Sequence, residues 1–320
     1  MTQYEERVVV TGGGGFVGSH LCERLLREGF AVVCIDDFST GSVCNVEPLD
    51  GHSGFQLLEA DVSTGFDIRG AVDAVLHLAS PASPVDYLRR PLETMRAGST
   101  GTQHALDLAC RKGARFLLAS TSEVYGDPQV HPQPESYWGH VNPVGPRSVY
   151  DEAKRFSEAL TVAHRDARGL DARIVRIFNT FGPHMRADDG RMIPNFIRQA
   201  IAGEPLTVAG DGSQTRSLCY VSDTVDGILR LLWAPGEQGP VNIGGIHEMT
   251  VLATAEMIRS LVGSSSSIEF VARPQDDPGL RRPDISRAER SLGWRPAVSI
   301  EAGIKRTIDW FLENSILLGS

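Results

Sequence analysis

Val8-Val9-Val10-Thr11-Gly12-Gly13-Gly14-Gly15-Phe16-Val17-Gly18 sets a run of β-branched residues before four glycines and the apolar start of a helical pattern. A buried strand, a glycine turn and a helix in direct succession form the layout that holds a dinucleotide pyrophosphate. Missing side chains let the backbone approach the phosphates, and the helix start aims its N–H groups and dipole at their charge. Gly12, Gly15 and Gly18 read GxxGxxG, while Gly13, Gly15 and Gly18 read GxGxxG, and the residues leave that register open. Either register points to a bound nicotinamide cofactor.

Working outward, apolar runs that predict strands recur at 31–35, 55–58, 74–78, 116–119 and 174–178. Helical patterns lie between them: Phe16, Val17, Leu21, Leu25 and Leu26 share one face, as do Leu106, Leu108 and Ala109, and further on Phe156 and Leu160. Alternating strands and helices predict an α/β fold, a Rossmann-type doubly wound parallel sheet covered on both sides. After Gly182-Pro183 the elements shorten and Gly and Pro punctuate them, which predicts a smaller C-terminal substrate-binding domain. The expected division is 1–179 for the cofactor and 180–320 mainly for substrate. Strand-like pieces at 206–208, 218–221 and 241–243 are expected to interleave with the first domain.

The chain's 320 residues, 41% hydrophobic and 22% charged, suffice for a large core. A net charge of -9 argues against a nucleic-acid partner. Cys22, Cys34, Cys44, Cys110 and Cys219 form no CxxC pair, so they read as reduced thiols and no metal site is expected. No apolar run approaches the ~20 residues that span a membrane, and no basic-then-apolar leader opens the chain, so the expected location is the cytoplasm.

The strand at 31–35 leads into Asp36, about 20 residues past the glycines, where a carboxylate accepts hydrogen bonds from the adenosine ribose. It would repel the extra phosphate of NADP, so NAD is favoured. The candidate cofactor set is Gly12, Gly15, Phe16, Val17, Gly18, Asp36, Asp61, Val62, Leu78 and Ala79, joined by Tyr150 and Lys154.

Tyr150 precedes Lys154 by four residues, which on a helix puts both on one face about 6 Å apart along the axis. A nearby ammonium is expected to lower the phenol from its usual pKa near ~10 toward general-base work. Upstream, Ser120-Thr121-Ser122-Glu123 follows an apolar strand, at the end of an open sheet where ligands bind. Thr121 is placed to hold the hydroxyl that Tyr150 deprotonates. Arg216 and Arg281 have the donor geometry for a diphosphate or a carboxylate.

TGGGGFVGSH, HLASPASPVDY, LLASTSEVYGDPQVHPQPESYWGHVNPVGPRSVYDEAKR, RIFNTFGP, DGSQTRSLCYVSD and QDDPGLRRPDI together resemble the extended short-chain dehydrogenase/reductase family, and within it the UDP-glucuronate decarboxylases. The resemblance runs from about Arg7 to Phe311. It implies that Tyr150 is the base at the sugar C4 hydroxyl, Lys154 its cationic partner and Thr121 the hydroxyl that aligns C4. Ser122, Glu123 and Arg281 would serve the C5 side, and Asn179, Asn195, Arg216, Arg281 and Asp284 the UDP-sugar. Family members usually carry Asn where this chain has Gly98, a departure that removes no acid or base.

The implied activity is NAD-dependent conversion of UDP-glucuronate to UDP-xylose through C4 oxidation, CO2 loss and C4 re-reduction. Burial of the substrate carboxylate against Glu123 is expected to disfavour its ionised form and push toward CO2 loss. A 4-epimerase, an oxidative decarboxylase releasing the UDP-4-keto-pentose and a silent NAD-binding protein are the competing readings. A homodimer built on the helices near Leu106 and Phe156 is the implied assembly.

Overall fold

The computed structural model describes residues 6–273 and 279–314. Its strands are β1 (Arg7–Thr11), β2 (Ala31–Asp36), β3 (Phe55–Glu59), β4 (Ala74–His77), β5 (Arg115–Thr121), β6 (Ala172–Ile177), β7 (Thr180–Phe181), β8 (Leu206–Ala209), β9 (Thr215–Ser217), β10 (Cys219–Tyr220), β11 (Val241–Ile243), β12 (Glu248–Thr250) and β13 (Ile268–Val271). The α-helices are α1 (Phe16–Arg27), α2 (Pro84–Arg89), α3 (Pro91–Arg96), α4 (Thr102–Lys112), α5 (Ser148–Arg168), α6 (Met192–Ala202), α7 (Val221–Trp233), α8 (Val251–Val262), α9 (Ser286–Leu292) and α10 (Ile300–Glu313).

Seven parallel strands form the central sheet in the order β11-β6-β5-β4-β1-β2-β3. Val8 and Val10 face one core with Leu21 and Leu25 of α1 and Ile228 and Leu232 of α7. Val9 faces the other, with Leu106, Leu108 and Ala109 of α4. Alternate residues of one strand thus enter two cores, which is why its whole run is apolar. The sheet is Rossmann-type, as its period predicts. The order reverses between β1 and β4, and the crevice above those strand ends is where such sheets bind ligands.

Val241–Ile243 leaves the second half of the chain to pair with β6 at the sheet edge. The expected strand at 218–221 is instead divided: Cys219–Tyr220 pairs with β7, and Val221 begins α7. Between α3 and α4 the backbone forms a π-helical turn over Ala97–Gly101. There a Cβ on Gly98 would stand 2.7 Å from the Ala153 Cβ of α5. The close approach of the two helices, rather than a polar contact, accounts for glycine at that position. Cys22, Cys34, Cys44, Cys110 and Cys219 are all free thiols.

Candidate active site

A cleft of about 580 Å³ opens above the ends of β1, β4 and β5 and is closed on its far side by α6 and β9. Gly12, Gly15 and Gly18, the glycines of the GxxGxxG register, line it. Gly12 has φ +73, and a Cβ there would meet the Ala79 backbone nitrogen at 2.7 Å. A Cβ on Gly18 would lie 2.0 Å from the Gly12 carbonyl oxygen, so α1 packs directly on the turn. Gly15 caps α1 without a side-chain acceptor, and the first turn carries no acidic residue. Its leading N–H groups, at Phe16 and Val17 on the cleft wall, are therefore free for an anion.

Asp36 ends β2 against this turn, accepting from the Gly14 N–H at 2.9 Å and the Phe38 N–H at 2.8 Å. Burial raises its carboxyl above the ordinary range, and those two N–H groups oppose the rise. Asp61, Val62, Leu78 and Ala79 also line the cleft, Asp61 capping a short turn through the Ser63 N–H. A glycine cradle closed to any Cβ, an anion-ready helix start and a carboxylate beside it fit a dinucleotide.

Tyr150 and Lys154 project from the first turns of α5, and both are buried. The Lys154 Nζ stands 5.9 Å from the Tyr150 ring centroid and donates to the Ala119 carbonyl at 2.9 Å. Burial brings the ammonium down to about 8, with Glu158 opposing. The expected lowering of the phenol does not follow from this pair. Burial and then Glu123 push Tyr150 above its ordinary value, while the Thr121 hydroxyl and Arg191 pull it back. A fully desolvated phenolate costs more than one lysine, directed at a carbonyl, returns. Glu158 also takes the Ser120 hydroxyl at 2.6 Å and both arms of Arg176, which binds α5 to β5 and β6 and fixes the height of Tyr150 over the cleft.

Thr121 ends β5 and caps the turn Ser122–Tyr125, its Oγ1 accepting from the Glu123 N–H at 3.2 Å. Glu123 lies between two guanidiniums: Arg281 donates to one carboxylate oxygen and Arg147 to the other. Burial alone would raise its carboxyl, but Arg281 and then Arg147 hold it down to about 2. The corner is thus net positive, which corrects the expectation that Glu123 would disfavour an ionised substrate carboxylate. Behind it Asp151 is buried, one of its oxygens has no hydrogen-bond partner among the described residues, and burial with Glu123 pushes it up to about 8.

Asn179, Asn195, Arg216 and Arg281 also line the cleft. Asn195 donates to the Thr207 hydroxyl at 3.3 Å, and Arg216 to its neighbouring Thr215 carbonyl at 2.8 Å. Asp284 is not on the wall: its carboxylate accepts from the Ser286 N–H at the start of α9. In this arrangement its carboxylate serves the start of α9, and the contact with UDP that the resemblance implied is not among its bonds here.

Two residues of the site escape the sequence reading. Tyr87, in the quoted block HLASPASPVDY, stacks on Tyr150. Arg147 stands three residues before Tyr150, a helical spacing that could have marked it. Among the described residues no group of His, Cys, Asp and Glu is placed to hold a metal, and no helix is long and apolar enough to cross a membrane.

Residues 8–244 match the NAD dependent epimerase/dehydratase family. The chain is 51% identical over 306 residues to UDP-glucuronic acid decarboxylase 1 of Danio rerio, covering 96% of this chain and 72% of that protein. It is 49% identical to UDP-glucuronic acid decarboxylase 3 of Arabidopsis thaliana, covering 93% and 86%. Among solved structures, a UDP-glucuronic acid 4-epimerase from Bacillus cereus in complex with UDP-glucuronic acid and NAD superposes with a TM-score of 0.85 at 28% identity, covering 96% of this chain and 99% of that one.

Proposed function

The chain belongs to the NAD dependent epimerase/dehydratase family, and from that premise we propose that it decarboxylates UDP-glucuronate to UDP-xylose. The observation that carries the reading is the joining of two groups on one cleft wall: the Tyr150–Thr121 pair that can work on a hydroxyl, and the Glu123–Arg281–Arg147 corner that can hold a carboxylate. Identity near one half to decarboxylases supports it.

The glycine turn and Asp36 would hold NAD, which would supply hydride acceptance and hydride return at C4 with no net oxidation. With the positive charge of oxidised NAD beside it to offset the desolvation that raises the phenol, Tyr150 Oη would take the proton of the C4 hydroxyl, and Thr121 Oγ1 would hold the same oxygen in line. A C4 ketone stands β to the carboxylate on C5, and such an acid loses CO2 readily. The electron pair left on C5 spreads onto the C4 oxygen, which Tyr150 and Thr121 stabilise as donors, each preorganised donor being worth about 3 to 4 kcal/mol. Ser122, Glu123 and Arg281 hold the C5 side of the ring. A proton from water added at C5, hydride returned to C4 and the Tyr150 proton returned to the C4 oxygen would complete UDP-xylose.

In the same reading, residues 1–179 chiefly serve the cofactor and 180–320 the UDP moiety, through Asn195 and Arg216, joined by Asn179 at the end of the first segment. The protein works in the cytoplasm as a homodimer through α4 and α5, where Phe156 is 50% exposed. Sedimentation at micromolar concentration showing only monomer would exclude the dimer, and fractionation of the source cells would test the compartment.

The decisive experiment incubates purified protein with UDP-glucuronate and catalytic NAD, following product mass, proton NMR and NADH absorbance. UDP-xylose without NADH accumulation is expected. A 4-keto pentose with stoichiometric NADH would make it an oxidative decarboxylase, and unchanged mass with inverted C4 an epimerase.

A further inference from the structure

The segment 183–191 joins β7 to α6 and binds three elements that follow different strands of the central sheet. At its start, His20 Nε2 of α1 donates to the Pro183 carbonyl at 3.0 Å, and His184 Nδ1 is hydrogen-bonded to the Ser19 hydroxyl at 2.9 Å. Arg186 then donates through Nη1 to the Thr40 carbonyl at 2.9 Å, in the loop after β2. Its Nη2 reaches both carboxylate oxygens of Asp86 on α2, at 2.9 and 3.0 Å. A Cβ on Gly190 would stand 2.4 Å from a Val85 methyl, so the backbone there rests directly on α2. α1, the Thr40 loop and α2 follow β1, β2 and β4 and form the rim of the crevice where the sheet order reverses. A segment bound to all three crosses that crevice, and His184, Arg186 and Gly190 accordingly line the cleft beneath it.

Both partners of Arg186 also bear on the site. The Thr40 loop packs on the glycine turn, where the Ser42 N–H and Asn45 Nδ2 each donate to the Gly14 carbonyl at 3.0 Å. Asp86 directly precedes Tyr87, whose ring stacks on Tyr150. We propose that Arg186 is a positioning residue, the clasp of a strap over the cofactor crevice, and that NAD exchanges only when Arg186 parts from Asp86 and Thr40. The Arg186 side chain is 29% exposed and that of Asp86 13%, so the pair is screened less than a surface ion pair yet stays open to competing water. Its bonds join protein to protein, so they restrain a dinucleotide passing in either direction. In the decarboxylation read above, that hold keeps one NAD through hydride removal and return. The clasp itself requires only a dinucleotide in the crevice, whichever sugar the cleft takes.

The test measures NAD exchange with no sugar present: release from the NAD-loaded protein into a chase of isotopically labelled NAD, uptake by protein stripped of cofactor, and calorimetric affinity. Hydrogen bonds to charged groups are worth about 1.5 to 3 kcal/mol, less where water competes, so Arg186→Met should speed release and uptake alike by about 5- to 30-fold. The affinity should move less than about threefold, because a clasp between two parts of the protein lowers both barriers together. Arg186→Lys should fall in between, since one ammonium lacks the span of the guanidinium. Asp86→Asn should also speed exchange, and adding it to Arg186→Met should change little more, as expected for two residues of one contact. Wild-type exchange in Arg186→Met, faster release without faster uptake, or additive effects of the two substitutions would each overturn the clasp. Should Arg186→Met not fold, Arg186→Lys and Asp86→Asn carry the same comparison.

Discussion

The Tyr87 ring lies flat on that of Tyr150, their centroids 5.3 Å apart and their planes 6° from parallel. Tyr87 comes from α2 and Tyr150 from α5, so the stack pins the reacting phenol between two elements. Its own hydroxyl is buried with no hydrogen-bond partner among the described residues. Such stacking is worth about 0.5 to 1.5 kcal/mol. Tyr87→Leu should therefore lower kcat roughly 2- to 10-fold, while Tyr87→Phe, which keeps the ring and removes an unpaired buried hydroxyl, should not lower the melting temperature. A Tyr87→Leu enzyme with wild-type kcat would show that the stack does not position the phenol.

Tyr150→Phe should cost about 10²- to 10⁴-fold in kcat, the usual contribution of a general base, while NAD stays bound. Because burial and Glu123 raise the phenol, the ultraviolet difference between wild type and Tyr150→Phe, both stripped of cofactor, should show phenolate only above the ordinary range near ~10. Phenolate absorbance below that range would mean that Lys154 outweighs desolvation after all.

Two buried groups give stability opposite pH slopes. His77 is brought down from 6.5 to about 3, chiefly by burial and then by Lys154, so between those values the unfolded chain binds the proton and the folded one does not. Stability is therefore full above pH 6.5 and falls as pH drops through this window. Its hydrogen bonds to the Thr11 and Thr102 hydroxyls, at 2.7 and 3.1 Å, serve a neutral ring. His77→Asn should flatten the acid slope of the urea midpoint. An unchanged slope would assign acid sensitivity to other groups.

Asp151 runs the other way. Raised from 3.8 to about 8, it binds a proton in the folded state that the unfolded chain releases, so its contribution is lost as pH rises through that interval. Asp151→Asn mimics the protonated acid, and the variant's stability advantage over wild type should widen steadily across the same window. A constant difference would mean that Asp151 is ionised in the folded protein.

Gly18→Ala places a methyl 2.0 Å from the Gly12 carbonyl oxygen, a backbone atom with no rotamer to give way. Overpacking of this kind costs about 1 to 3 kcal/mol, and the shift it forces passes into the cofactor turn. The purified variant should carry little or no NAD by absorbance and melt several degrees lower. Full NAD content would show that α1 can move away from the turn.

The amino-acid sequence by itself determined whatever depends on neighbours along the chain. Val8–Gly18 forms strand, turn and helix because β-branched residues, glycines and a helical period follow one another there, and Asp36 meets the turn because the next strand is parallel and adjacent. Tyr150 and Lys154 share a face because four residues make roughly one helical turn. Tertiary structure alone decided the charge and proton affinity of the site. Glu123 finds Arg147 and Arg281 only because β5, the start of α5 and the segment before α9 converge on one cleft. The same folding buries Tyr150 enough to raise its phenol, because desolvation depends on atoms from distant parts of the chain that no local pattern records.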